Sequence, residues 1–148
     1  MKMIKGLVLS LAVICSCILL IQEKRNFYYN SDKTKCVTIW KRLGGKCIVI
    51  PRKYIGLFKP DEEYLETTNH NSLTIIWEKG DKYDLIIFNN YGLKVNLNFR
   101  NTKVKYYRSN DREKFNEAYY INDHIKPQFE YLMVNMGENW GIVNGKEM

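Results

Sequence analysis

Proline is scarce in this chain, three in 148 residues, and nine glycines are scattered without period. No Pro/Ser linker, low-complexity tract or internal repeat interrupts the chain, which excludes a fibrous or disordered polymer. Histidine is scarcer still. His70 and His124 are the two present, and neither has metal-ligand spacing to a cysteine or to the other. No Gly-rich phosphate loop, H-E-x-x-H or G-x-S-x-G occurs. A hydrolase would have to rest on His70 in "TTNHNS" or on His124 beside Asp123 in "INDHIKP". Adjacent polar residues of that kind form turns, so the expectation is a protein that is not an enzyme and that implies no cofactor and no metal.

Acid is missing from two long stretches. Lys33, Lys35, Lys41, Arg42, Lys46, Arg52, Lys53 and Lys59 follow one another with no acid between Lys33 and Lys59. Lys94, Arg100, Lys103, Lys105 and Arg108 lie between Leu85 and Asn110, again with no acid. The net charge is +7. Such segregation suits an anionic partner, either lipid headgroups or an acidic protein. No recognisable nucleic-acid motif accompanies it, which argues against nucleic acid.

A long apolar run occurs once. Leu7 to Ile21 carries no charge, with Lys2 and Lys5 before it and Glu23, Lys24 and Arg25 after. A spanning helix needs about 17–25 apolar residues, a lower limit met by adding Gly6 and Ile4 with Lys5 reaching back to the headgroups. A secretory signal core takes about 7–15, so both readings fit. Ile14-Cys15-Ser16-Cys17 also resembles a bacterial lipobox, in which a small residue precedes a cysteine that becomes acylated. That resemblance implies Cys17 as the lipidation candidate. It departs from the usual pattern at Ile18-Leu19-Leu20-Ile21, where mature lipoproteins turn polar. The expectation is an anchor or signal over 1–22, a short polar stalk over 23–33 and one domain over 34–148. The domain is expected to be membrane-tethered and, from the short dibasic head, outside the cytoplasm.

Period-2 alternation dominates after residue 34. It predicts strands over 35–42 and 46–51 around a two-residue Gly44-Gly45 turn, then 53–58, 72–78, 82–88, 92–99, 102–107, 128–136 and 140–144. Pro60 followed by Asp61, Glu62 and Glu63 suits one turn of helix. The period changes at "NDREKFNEAYY". Asn110 as N-cap, Glu113 three residues on, and Phe115, Ala118 and Tyr119 on one stripe predict the single helix. The fold class is therefore α+β, mainly antiparallel, with about eight strands, as a curved sheet or a small barrel. The element order is similar to that of lipocalin-like barrels.

Cys36 and Cys47 are the disulfide candidates outside the cytoplasm. A turn at Gly44-Gly45 argues against the bond, because it would set them about 20 Å apart along the ladder. In Lys94, Arg100, Lys103, Lys105 and Arg108, two strands predicted as neighbours form a candidate basic binding face. Together these features lead to a membrane-tethered interaction domain of the bacterial envelope. It would bind a protein or an anionic component, with an immunity-type inhibitor as one case. The alternative is a carrier of a small apolar ligand.

Overall fold

The computed structural model describes residues 23–78, 82–138 and 141–147. Two mostly antiparallel sheets pack face to face, and they do not close into a barrel. The first sheet has the order β1 (Lys24–Tyr29), β2 (Cys36–Arg42), β3 (Lys46–Ile50), β4 (Tyr64–Thr68) and β7 (Asn96–Asn98). The second has the order β13 (Lys146–Glu147), β12 (Gly141–Val143), β11 (Glu130–Asn135), β5 (Ser72–Trp77), β6 (Leu85–Asn89) and β8 (Val104–Tyr107). A small hairpin of β9 (Tyr120–Ile121) and β10 (His124–Ile125) follows the one helix of the described residues, α1 (Arg112–Tyr119).

Alternation decides what each face buries. Val37, Ile39, Cys47, Val49 and Leu65 of the first sheet meet Leu73, Ile75, Trp77, Ile87, Leu132 and Val134 of the second, forming the main core. The outer face of the second sheet is covered by α1. Phe115 and Tyr119 close over Ile76, Ile86, Phe88 and Tyr107, which is the stripe the periodicity predicted. Strand β6 is buried on both faces, so it reads as the unbroken apolar run LIIF. On the outer face of the first sheet Trp40, Ile48 and Ile50 form a smaller cluster under Tyr54 and Tyr64.

Several expectations are corrected here. The stalk is not a stalk from Lys24 on. Residues 24–29 form edge strand β1 against β2, with Tyr28 opposite Val37 and buried with it in the core. Gly44 and Gly45 do sit in the β2–β3 turn with φ of 78° and 72°, where a side chain would be strained. The loop, however, takes three residues, so Arg42 faces Lys46 and Lys41 faces Cys47. Residues 53–58 are a loop, and Glu63 adopts φ 63°, which rules out a helical turn there. Strand β4, which follows it, has no clear alternation and was not expected. Asn110 lies in a 3-10 turn, Ser109–Asp111, ahead of α1 and is not its N-cap. There Asp111 Oδ2 accepts the Arg108 N–H at 3.1 Å.

The largest difference is in topology. The predicted strand over 92–99 shrinks to β7, which pairs with β4 in the first sheet. The chain then returns to the second sheet, where β8 runs parallel to β6. The expected β7–β8 hairpin does not form. The lipocalin-like order is not realised as a closed barrel. No helix among the described residues is long and apolar enough to cross a membrane. The anchor or signal over 1–22, with Cys17, lies outside the described residues.

Candidate functional site

At one end of the sandwich the two sheets part. Strand β3 stops at Ile50 because Pro51 has no N–H to continue the ladder. On the facing sheet, β5 stops at Trp77 and β6 starts at Leu85, paired to each other. Between these ends lies an open cleft of about 450 Å³.

Its rim is basic. The β1–β2 turn is locked by its own polar groups: Asn30 Oδ1 accepts the Lys35 N–H at 2.8 Å, and Asp32 Oδ1 accepts the Thr34 N–H at 2.9 Å. This turn brings Lys33 and Lys35 to the cleft. Arg52 and Lys53 arrive from the other side, after Pro51. Their backbone is pinned by buried Thr38, whose hydroxyl donates to Arg52 O at 2.6 Å and accepts the Tyr54 N–H at 3.0 Å. Lys35 Nζ donates to Glu78 O at 2.7 Å, across to the second sheet.

One carboxylate faces these cations among the described lining residues, Asp84. Its Oδ2 already accepts the Lys103 N–H at 2.8 Å. Trp77 also lines the cleft. It is 2 % exposed, and its indole N–H has no acceptor among the described residues. An unsatisfied buried donor costs about 1–3 kcal/mol. Cys36, half-buried in the wall, has its thiol pKa raised by burial, more than a hydrogen bond with Tyr29 and the Lys53 charge lower it. It is therefore a poor thiolate source. The cleft can hold a carboxylate, phosphate or sulfate through the charge and N–H donors of its lysines and arginine.

Other candidate residues fall elsewhere. Cys36 and Cys47 are both free thiols. Cys36 shares the alternation of Thr38 and Trp40, while Cys47 points into the main core with Val49. The two lie on opposite faces of one sheet, and no bond can join them. Burial pushes the Cys47 thiol up to about 11, against the opposing pull of Lys41.

The predicted basic face is also not one face, because β7 and β8 belong to different sheets. Lys94 and Arg108 do come together, around a second open cleft of about 470 Å³ with Asn89 and Tyr106. Arg100 pairs with Glu62 at 3.2 Å. Lys105 lies over the rings of Tyr107 and Tyr83, at 4.7 and 5.6 Å, on the helix side of the second sheet. Lys103 is tied to Asp84 through its backbone.

His70 and His124 are both exposed. Asn122 and Asp123 take φ of 47° and 62° in the turn between β9 and β10, which accounts for that pair as turn formers. No group of three or more His, Cys, Asp or Glu suited to a metal ion occurs among the described residues.

Compared with protein-family models, with curated proteins and with solved structures, the chain matches none. The reading of the cleft therefore rests on its own geometry. Its signal in the sequence was the acid-free run from Lys33 to Lys59. That run was legible as charge. Which four of its eight cations meet was not, because Lys33 and Arg52 are brought together by strand pairing.

Proposed function

We propose that this protein is a non-enzymatic, membrane-tethered interaction domain of the bacterial envelope, with its domain outside the cytoplasm. It takes an anionic group of a protein or envelope component in the cleft between its sheets. The observation that carries this reading is the meeting of Lys33, Lys35, Arg52 and Lys53 around a cleft with a single lining carboxylate, Asp84, among the described residues. Like charges held together repel, and an anion relieves that repulsion. An inhibitor that covers an acidic partner surface, as an immunity-type protein would, is one form of this function. The second reading, a carrier of a small apolar ligand, calls for an enclosed apolar cavity. The open, cation-rimmed cleft favours the first.

The test is co-purification of the tagged full chain from native membranes, beside an Arg52→Glu/Lys53→Glu variant. Both substituted residues are exposed, so folding should survive. Wild type is expected to retain an acidic component that elutes with salt, and the variant to lose it. Equal retention by both chains would remove the cleft from the function.

A further inference from the structure

The loop between β3 and β4 carries an apolar tip that faces water. Ile55 is 73 % exposed, Leu57 67 % and Phe58 81 %. This tip is held in place from beneath. The Tyr54 ring packs against buried Trp40 with centroids 6.0 Å apart, and its hydroxyl donates to Phe58 O. Arg25 also packs on Trp40: its Cζ is 4.0 Å from the ring centroid, and its Nη2 donates to Gly56 O at 2.7 Å. The loop is thus held from below at two carbonyls, Gly56 O and Phe58 O, with its apolar side chains exposed.

Arg25 also fixes where the loop sits relative to the N-terminal run. Ile21, the last residue of that run, is separated from Arg25 by Gln22, Glu23 and Lys24. Four residue steps reach at most about 14 Å, while the polar layer on each side of a bilayer is about 5–8 Å deep. If Leu7–Ile21 is in a membrane, Arg25 and the loop bonded to it lie beside that membrane's surface.

The charge around the tip fits this placement. Arg52, Lys53 and Lys59 flank it in the chain, and Arg25 adjoins it. Several acids of the same sheet face are already paired: Glu66 with Lys59 at 3.0 Å and Lys46 at 3.6 Å, and Glu23 with Arg42 at 3.1 Å. Asp61 remains as an exposed acid among them. An apolar tip within a collar of cations suits the interface of an anionic bilayer.

We propose that Ile55, Leu57 and Phe58 insert into the surface of an anionic bilayer, so that the outer face of the first sheet lies against the membrane. The inference rests on the membrane-tether reading above. The loop is then a second point of attachment. With the N-terminal run it stops the domain from swinging freely and sets the direction in which the cleft opens.

The experiment places the full chain in phosphatidylglycerol-containing vesicles and compares Phe58→Trp with Tyr91→Trp. Tyr91 is 61 % exposed and lies by the outer face of the second sheet, near Thr74 and Met133. Each variant's emission is read as a difference from wild type, with and without lipids brominated on the acyl chains. The expected result is a blue shift and bromine quenching for Phe58→Trp and neither for Tyr91→Trp. Vesicle flotation is scored on the same samples. A chain that floats while Phe58→Trp emits as in water and escapes quenching overturns the loop proposal and leaves the tether standing. Quenching of both variants overturns the orientation. A chain that does not float overturns the tether and the loop proposal with it.

Discussion

Glu63 shows how one side chain can hold a crossover. Its left-handed backbone, φ 63°, turns the carboxylate inward, where it is 5 % exposed. There it accepts the backbone N–H groups of Arg100, Asn101 and Thr102 at 2.8, 2.6 and 3.0 Å, together with the Thr102 hydroxyl. This turn carries the chain from β7 back to β8. Burial alone would raise the Glu63 pKa, but the hydrogen bonds from Thr102, Asn101 and Arg100 outweigh it and hold it at about 2. A carboxylate with a depressed folded pKa stabilises the fold fully above its unfolded value, near 4.5. That contribution is lost as pH falls toward 2. With screening by nearby solvent, the shift is worth about 1–3 kcal/mol. Glu63→Gln should therefore be less stable than wild type by about that amount at pH 7, with the difference closing as pH falls toward 2. Urea midpoints across this range measure it. A gap independent of pH would mean the carboxylate is not ionised in this role.

Helix α1 makes the same point for an element. Eight residues are too few to hold a helix in water, so its stability comes from the face it buries. Phe115 stacks on Phe88 at 4.4 Å with planes 10° apart, and meets the Tyr107 edge at 5.4 Å. Phe115→Ala should cost about 3–5 kcal/mol and lower the thermal midpoint accordingly. An unchanged midpoint would show that the helix is not docked on the second sheet. This stripe was legible because its i, i+3, i+4 spacing is local. Strand β4 was not. "YLETT" alternates weakly, and it is held as a strand by β3 on one side and β7 on the other.

For the whole molecule, the proposed membrane tether turns on residues 1–22. Both anchor readings of residues 1–22 predict that the protein sediments with membranes, and Cys17 separates them. With a clickable fatty acid fed to cells, label that disappears in Cys17→Ala supports acylation. Membrane retention without label supports a retained helix. A processed, fully soluble product would sink both. In the proposed arrangement the apolar loop would give the tether a second contact, and the basic cleft would open in a direction set by two attachments rather than one.

Sequence alone determined those features that depend on near neighbours. Alternation marked most of the strands and which residues face inward, the paired glycines marked a turn, and a change of period marked the helix. The acid-free run marked a basic region. Tertiary structure decided which strands lie side by side, because a period of two says which face is buried but not what pairs along the edge. It therefore placed β7 and β8 in different sheets and divided the predicted basic face between them. It recruited 24–29 as a strand, since Tyr28 gains a core that exists only once β2 and β12 surround it. It also assembled the cleft, whose cations come from the β1–β2 turn and from the segment after β3, brought together because β2 pairs with β3.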